Sequence, residues 1–590
     1  MIARLVRMVV WFAVPLLALL AAGTASASDS SLVKLASARF PNLTRAERAL
    51  LEFVDIGNLN RPEWAAAGPS QNPLDPSNDP KDAATWTRDR NIRATLIEWL
   101  AVDHAAIARI HPSGIRVLGA RVVGSLDLSY VHVPFVIMMI RCSIPEQIRL
   151  QATEIPRLDL NGSYTADIFA ADIRVDGSLF FGWDNHEYGP FHANGEIDIA
   201  GGRVDGDINF GEGHFRHSKA PFDDNLTGMN VAIDATRVEV KHGVVMCCGF
   251  ESDGAVNLSG STIGGNLFFA GGRFLNPDNI AITVSGARIG GNVFLALEPL
   301  GAFYSDGAVE FVAAHVAGVF STSGGTFAGK GTERHGLFAS LLEVNGGFGW
   351  LNVDLENGAT LDLTGASVFG FGDDQRSWPQ PGKLLIDGFT YKGFGGVKDA
   401  RRRLQWVGLQ PEFHPQPYRQ LAKVLRETGD DGGAVTVLIA AEDARYQKSN
   451  LLERLLASFL KVTIGYGHRP LLAMLWSFGV VLVGWLVVNV GKRAGVMRPT
   501  YPENAPPSET RYERLYPFLY SLDVFLPFVN LHQEHYFWPN SDAKGQCTIV
   551  GYPIRIDGSL VLYYLWLQII AGWLLSAIFI AGVTGLLRND

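Results

Sequence analysis

A short polar motif follows an apolar run near the C-terminus and offers side chains of the kind that bind metal ions or protons. The motif, HQEH, supplies His532, Glu534 and His535, and the apolar run, residues 516–531, contains Asp523. The motif lacks the spacing of the HExxH and HxxEH zinc sites, and no third ligand accompanies it, which favours a polar turn over a metal centre. An acid in a membrane-associated segment is a functional candidate by default. The four side chains therefore form a candidate juxtamembrane site, with solvation at the headgroup level as the alternative.

A second candidate is a row of polar residues at a long spacing. Asp198, Asn257, Glu310 and Asp362 lie 59, 53 and 52 residues apart. Such a row of oxygen ligands suits calcium or a glycan. Cleavage of a glycan, however, needs two carboxylates about 5 to 9.5 Å apart, and no repeat supplies two of them beside aromatic residues. The row favours a solvated polar surface, with glycan or calcium binding as the alternative.

Two further motifs are weak matches to known sites. Residues 324–331 (GGTFAGKG) are similar to a phosphate-binding P-loop, but Gly331 stands where Ser or Thr is required. No G-x-G-x-x-G motif opens a strand–helix–strand unit.

Cys247 and Cys248 lack the C-x-x-C spacing of redox pairs. Because neighbours on a strand point to opposite sides, a packed thiol is favoured over a reactive pair. The sequence therefore predicts no catalytic residue, no cofactor and no metal ligand.

The composition narrows the classes of function. The 590 residues carry a net charge of −9, without a long basic block, so nothing supplies the cationic surface that nucleic acid requires. Hydrophobic residues make up 47% and charged residues 18%, and there are 64 glycines, a composition that excludes a disordered chain and a collagen. The 4 cysteines are too scattered for a disulfide framework. Stability must therefore come from packing.

Apolar segments at both ends indicate export and membrane insertion. Residues 1–27 combine two arginines, an apolar core and Ala-Ser-Ala, as in a secretory signal peptide, with an uncleaved anchor as the alternative. Residues 470–490 and 559–587 are long enough, at about 1.5 Å per residue, to cross a hydrocarbon core of about 30 Å, with buried core helices as the alternative. We expect two transmembrane helices, with residues 28–470 outside the cytoplasm. The cytoplasmic loop, residues 491–558, then contains the apolar run as an interfacial or re-entrant segment.

A repeat fills the middle of the chain. The phrases GEIDIAGG, GAVNLSGS, GAVEFVAA and GATLDLTG begin 59, 53 and 51 residues apart, and Phe215, Phe274 and Phe327 follow at 59 and 53. Half of this period, roughly 25 to 30 residues, suits one coil of a β-solenoid. Triplets such as IDI at 197–199 alternate in polarity, which places their apolar members inside. The sequence predicts a mainly β, irregular right-handed parallel β-solenoid of about ten coils and about 50 Å, with an antiparallel sandwich or barrel as the alternative.

Helical segments are predicted at both ends of the solenoid, because terminal coils need cover. The helical spacing of residues 43–56 and 89–108 predicts an N-terminal cap within residues 28–112, and the Pro- and Asn-rich stretch between them predicts a surface loop. The solenoid is predicted over residues 113–395. Residues 396–469 are predicted as a helical juxtamembrane linker that contains a tetratricopeptide-like hairpin.

Several segments spread over residues 43–587 carry a resemblance to a known family. They are NIRATLIEWL, HPSGIRVLGARVVGSLDLSYVHVPF, the GGNLFFAGGRF-type coils, PYRQLAKVLRETGD and YSLDVFLPFVNLHQEHYFWP. Together they resemble a bacterial family of membrane-anchored pentapeptide-like repeat proteins. Members are sometimes labelled membrane-associated oxidoreductases, but the resemblance implies no established reaction, substrate or catalytic residue. Because the chain departs from the strict A-[DN]-L-x-x pattern, we expect a less regular solenoid.

These features favour binding over catalysis. We expect a membrane-tethered scaffold that presents a long rigid surface to an unknown envelope protein or glycan, with the lipid bilayer as its other partner and without nucleic acid or nucleotide. One alternative is an envelope glycan-binding or glycan-processing β-helix enzyme. A second alternative is a transport or sensory membrane protein that uses the loop between the two membrane helices.

Overall fold

The computed structural model describes most of the chain. The described residues are 31–182, 188–217, 230–295, 300–329, 335–447, 449–500, 514–549 and 552–584. The predicted signal peptide, residues 1–27, lies outside them. The chain divides into two compact units, of which the first comprises Met1–Lys398 with Gln405–Glu412 and the second comprises Asp399–Leu404 with Phe413–Asp590.

The first unit is a β-solenoid built from two 20-stranded sheets. Their strands pair in parallel, and each coil adds two short strands to one sheet and then two to the other. Thus Tyr164–Thr165 and Ile168–Phe169 belong to one sheet, and Arg174–Val175 and Leu179–Phe180 follow in the other. About eleven coils stack in this way. The predicted parallel β-solenoid is confirmed, and an antiparallel sandwich is wrong.

The strands are mostly two to four residues long and alternate between the two sheets. The first sheet contains Ala65–Ala66, Ile115–Leu118, Ile137–Ile140, Glu154–Ile155, Leu158–Asp159, Arg174–Val175, Leu179–Phe180, Arg203–Val204, Ile208–Asn209, Glu239–Val240, Val244–Val245, Thr262–Ile263, Leu267–Phe268, Arg288–Ile289, Val293–Phe294, His315–Val316, Phe320–Ser321, Glu343–Trp350, Ser367–Asp373 and Thr390–Gly396. The second contains Asn91–Arg93, Arg121–Val123, Leu126–Asp127, Ser143–Ile144, Ile148–Arg149, Tyr164–Thr165, Ile168–Phe169, His192–Ala193, Ile197–Asp198, His214–Arg216, Val231–Asp234, Glu251–Asp253, Ala255–Asn257, Arg273–Thr283, Tyr304–Glu310, Thr326–Ala328, Gly336–Phe338, Asp354–Leu355, Thr360–Asp362 and Leu384–Leu385.

Aromatic side chains stack through the interior of the solenoid. The ladder runs through Phe191, Phe215, Phe250, Phe274, Phe303, Phe327 and Trp350, with successive ring centroids 5.0 to 5.6 Å apart. These side chains are fully buried. Each of the three phenylalanines singled out by the sequence therefore lies two coils from the next. Burial of side chains of this size dominates the energetics of a core.

Helices precede the solenoid, as predicted. They are α1 (Ser31–Arg39), α2 (Arg45–Val54), α3 (Ala94–Val102) and α4 (His104–Ile107). Helix α2 begins with a capping box, in which the Thr44 hydroxyl accepts the N–H of Glu47 and the Glu47 carboxylate accepts the N–H of Thr44.

One detail of the predicted cap is wrong. Asn91–Arg93 is a strand that pairs in parallel with Arg121–Val123, so the segment predicted as helix starts as the first strand of a sheet. The predicted surface loop, residues 70–80, is mostly exposed or half-buried, and Asn78 within it is completely buried, where its side-chain amide donates to the carbonyls of Ser70 and Asn72.

The second unit is mainly helical. Its elements follow as α5 (Ala400–Val407, at the boundary), α6 (Pro415–Glu427), α7 (Asp431–Tyr446), α8 (Leu451–Ile464), α9 (Leu471–Arg493), α10 (Pro517–Phe525), α11 (Gln533–Tyr536) and α12 (Gly558–Val583), with antiparallel strand pairs Met497–Pro499 with Phe537–Pro539 and Lys544–Ile549 with Tyr552–Asp557. Helices α6 and α7 form the predicted hairpin. Helices α9 and α12 are long and apolar enough to cross a membrane.

Glycines at one corner of the solenoid allow successive coils to touch. A Cβ atom on Gly291 would lie 2.7 Å from the backbone of Gly265 in the preceding coil, and one on Gly318 would lie 2.7 Å from the carbonyl oxygen of Gly291. Side chains at the same corner form a ladder, since the side-chain Oδ1 of Asn266 accepts the backbone N–H of Asn292 at 2.8 Å. The glycine-rich composition therefore serves close stacking of backbone on backbone.

We predict that Gly291→Ala lowers the stability of the solenoid by about 1 to 3 kcal/mol, because its methyl group meets backbone atoms that cannot rotate away. Thermal unfolding of the full chain followed by circular dichroism measures the effect. Gly370→Ala is the matched control, since a Cβ there meets nothing within 4 Å. Equal stability of the two variants would contradict a crowded corner.

Candidate functional site

The predicted polar row lies along one column of the second sheet. Asp198 pairs with Asp234, which pairs with Asn257, and Glu310 and Asp362 follow further along the same column. The full column reads Asp127, Arg149, Phe169, Asp198, Asp234, Asn257, Thr283, Glu310, Phe338, Asp362 and Leu385. Neighbouring members of the predicted row are thus two coils apart, as the sequence indicates.

The side chains of this row stabilise the corners of the solenoid. One carboxylate or amide oxygen of Asp198, Asn257 and Asp362 accepts the N–H of the residue two positions later, at 2.9, 3.1 and 2.9 Å. Asp127 and Asp234 make the same bond at 3.0 and 2.9 Å. This local bond is an Asx-turn, which the short polar side chains of Asp and Asn form readily.

The chain turns a corner directly after each of these hydrogen bonds, and one residue at that corner has a left-handed backbone conformation. The third residue after each member of the column has a positive φ, and in five coils that residue is Gly201, Gly260, Gly286, Gly365 or Gly388. Other coils place a side chain there, namely Tyr130, Ala152, Asp172, Arg237, Ala313 and Leu341. Glycine therefore supplies this conformation in some coils, whereas in others the stack itself enforces it on a residue with a side chain.

Exposure of the row differs from the prediction of a solvated surface. Asp198, Asn257 and Asp362 are half-buried, and Glu310 is only 8% exposed. The row therefore lies partly within the packed structure.

One neighbour in this column was not found from the sequence. Asp234 lies one coil from Asp198, about 4.8 Å away by the strand spacing. Burial raises the pKa of Asp198, and the negative charges of Asp234 and Asp172 raise it further. The triplet Ile233-Asp234-Ala235 is a visible signal, but the longer coil that precedes it breaks the period that identifies the other members.

The adjacent cysteines correct a prediction. Cys247 and Cys248 are bonded to each other as a disulfide, so the packed-thiol interpretation is wrong. Cys248 has a φ of +64° and occupies the same corner position as Gly271 in the next coil, since Val245 and Phe268 are paired. The left-handed corner turns the two side chains out of the alternation expected of a strand.

The membrane-helix candidates enclose a polar contact. The Ser521 hydroxyl of α10 donates to the carbonyl of Val481 in α9 at 2.7 Å. The Gln568 amide of α12 donates to the carbonyl and hydroxyl oxygens of Ser521 at 2.7 and 2.9 Å. A Cβ on Gly484 would lie 2.2 Å from Gln568 and 2.3 Å from Ser521. Helix α10 therefore packs between the central parts of both long helices through polar groups, which hold helices together where no water is present.

Asp523 lies in the last turn of α10, and the other three predicted juxtamembrane residues, His532, Glu534 and His535, lie at or within α11. Asp523 is 4% exposed, and its carboxylate accepts the N–H groups of Leu531 and Glu534 at 2.5 and 3.0 Å. The rings of His532 and His535 are 5.9 Å apart. No group of three His, Cys, Asp or Glu side chains in the described part of the chain is arranged to hold a metal ion.

Comparison of the chain with protein-family models, curated proteins and solved structures finds no match. The resemblance to membrane-anchored pentapeptide-like repeat proteins therefore stays a prediction. The fold itself defines the class of protein, a β-solenoid that continues into a helical unit with two membrane-helix candidates.

We predict that Asp198→Asn raises the melting temperature at pH 7. Because the pKa of Asp198 is raised, the folded state disfavours the ionised form of its carboxyl group. The free energy of unfolding of the wild type therefore falls as this carboxyl group ionises with rising pH. Asparagine keeps the oxygen that accepts the N–H of Ala200. The gain should vanish below about pH 4, where the wild-type carboxyl is neutral.

Asp362→Asn is the control for that measurement, because the neighbours of Asp362 in the column are Phe338 and Leu385 and carry no charge. A similar gain in both variants would show that charge repulsion from Asp234 is not the cause.

We predict that Gly484→Ala loosens the packing of α10 against the long helices, because the added methyl group overlaps Gln568 and Ser521. The free energy of unfolding of the variant should be about 1 to 3 kcal/mol lower than that of the wild type. A lower unfolding temperature in detergent measures this loss. Gly479→Ala on the same helix is the control, as its Cβ meets nothing within 4 Å. If both variants behave alike, the polar contact does not hold α10.

Proposed function

We propose that this protein is a membrane-anchored scaffold whose β-solenoid presents a rigid outer face to a partner in the cell envelope. In this proposal the membrane is a bacterial inner membrane, residues 28–470 lie outside the cytoplasm, and the solenoid performs no catalysis. The parallel stacking of about eleven coils is the observation that carries the proposal. Solenoids with such extended regular faces are suited to binding.

One outer column of the first sheet offers a surface of mixed charge. It contains Glu154, Arg174, Arg203, Glu239, Thr262, Arg288, His315, Glu343, Ser367 and Thr390. Ion pairs link some neighbours, such as Arg174 with Glu154 at 3.0 Å and Arg203 with Glu239 at 3.8 Å. Exposed pairs of this kind contribute little stability, and they supply the polar complementarity that selects a partner.

The anchoring part of the proposal is supported by exposed apolar surface in the second unit. Helix α8 exposes six large apolar side chains, Leu451, Leu452, Leu455, Leu456, Phe459 and Val462, at 46 to 75%. Their spacing places them on one side of the helix. A short connection then leads to α9, which exposes Leu471 and Leu475 at 72 and 66%. A lipid bilayer covers such a continuous apolar surface, with α8 lying in its interface.

Site-specific photo-crosslinking in intact cells tests the scaffold. We predict that a photoreactive amino acid at Thr262 and one at Thr390, which lie in the same outer column five coils apart, capture the same envelope protein. A partner that follows the length of the solenoid contacts both positions. The same residue at Asn78, which is completely buried, is the control and should capture nothing. Adducts only with cytoplasmic proteins, no adducts at either position, or release of reducing ends from envelope polysaccharide would contradict the proposal.

A further inference from the structure

The corner of the solenoid that contains the disulfide is longer than the same corner in the neighbouring coils. Strand pairing aligns three successive coils on both sides of this corner, in the sets Asn209–Val245–Phe268 before it and Phe215–Ser252–Phe274 after it. Between these two points the chain advances seven positions in the coil of the cysteines and six in each neighbour. The corner formed by Cys247 and Cys248 therefore carries one additional residue.

The additional residue disturbs the packing inside the solenoid. Phe250 stacks between Phe215 and Phe274, with ring centroids 5.2 and 5.0 Å apart, although Ser252 is the residue that pairs with both of them in the sheet. Ser252 is completely buried, and its hydroxyl has no hydrogen-bond partner in the described part of the chain. A buried polar group without a partner costs free energy, so packing beside this corner is less favourable than in a regular coil.

Hydrogen bonds join this corner to the coils on both sides. The Cys247 carbonyl accepts the N–H of Glu212 in the preceding coil at 3.1 Å, and the Cys248 N–H donates to the carbonyl of Ala270 in the following coil at 3.1 Å. Cys248 and Gly249 both have a positive φ, +64° and +98°. The disulfide closes a ring that includes the peptide bond between the two cysteines, so it restrains the backbone where the additional residue enters.

The disulfide is accessible from one side. Cys247 is 2% exposed, whereas Cys248 is half-buried and Gly249 is exposed. A Cβ atom on Gly249 would meet nothing within 4 Å, so open space lies beside the pair. Reduction of a disulfide requires that a thiolate reach one of its sulfur atoms, and Cys248 is the residue through which this can happen.

We propose that Cys247 and Cys248 form a reversible redox site, which loosens this corner when a dithiol reductant reduces it. One thiolate of the reductant attacks the Sγ atom of Cys248, the bond between the cysteines breaks, and the Sγ atom of Cys247 leaves and takes up a proton. The second thiol of the reductant then displaces the Sγ atom of Cys248, which takes up another proton. Two electrons and two protons thus pass to the protein, and the reductant becomes a disulfide.

The effect of reduction should be confined to the corner. A disulfide between adjacent residues closes so short a loop that it removes little freedom from the unfolded chain. The strands on both sides of the corner keep their own pairing with the neighbouring coils. Reduction therefore frees the corner without unfolding the solenoid, which adds a redox response to the scaffold proposed above.

Hydrogen exchange of the full-length protein in detergent tests this site, with dithiothreitol as the dithiol. Alkylation in denaturant followed by mass spectrometry of the peptide that contains both cysteines reports the redox state. We expect the amide hydrogens of Cys248 and Gly249 to exchange about tenfold faster after reduction and to slow again on reoxidation with glutathione disulfide. Gly324 is the internal control, since it lies at the same corner three coils later and donates its N–H to the Leu351 carbonyl.

The double variant Cys247→Ala, Cys248→Ala shows whether the response belongs to the disulfide. Alanine is tolerated at left-handed corners of this solenoid, as Ala152 and Ala313 have φ values of +49° and +53°. The corner of the variant should exchange at the rate of the reduced wild type and should not respond to dithiothreitol.

Three results would overturn the proposal: cysteines that are alkylated without prior reduction, a corner whose exchange is unchanged by reduction, or a response that persists in the double variant. The melting temperature supplies a further criterion, because local loosening leaves it nearly unchanged. A large fall on reduction would overturn the proposal in favour of a bond that stabilises the whole solenoid.

Discussion

Parallel hydrogen bonding between equivalent strands of successive coils is the constraint on which the first unit depends. Strands of two residues have little stability alone, and each is held by the strands above and below it. To repeat that register, every coil must turn its corner with the same backbone conformation. The polar residue at the end of the strand accepts an N–H within the corner, as Asp198 and Asp362 do, and glycine or a strained residue completes it.

Much of this architecture could be predicted from the sequence because one physical pattern repeats. Alternating triplets at a long, even spacing indicate stacked strands, and the same spacing places Asp198, Asn257, Glu310 and Asp362 in one column. The role of these side chains could not be predicted, because a hydrogen bond to the N–H two residues later does not alter the alternation of polar and apolar residues. Asp234 was missed because a longer coil changes the period.

Other differences have causes of the same kind. The strand Asn91–Arg93 precedes a helix without a break in polarity, so only its partner strand reveals it. The disulfide between Cys247 and Cys248 depends on a left-handed corner that local spacing does not encode. In the second unit, Ser521 meets Val481 and Gln568, which lie 40 and 47 residues away along the chain, and only packing brings them together.

Within the described residues of the solenoid, the strands of each coil pair only with strands of the neighbouring coils, so no strand pairing joins the first coil to the last. Its length is therefore free to change in whole steps of about 4.8 Å by duplication or deletion of a complete turn of chain, and the terminal helices need no redesign. A partial turn would instead swap the two sheets and expose the apolar interior. The length of the solenoid should therefore change by whole coils during evolution, and related proteins should differ by complete turns.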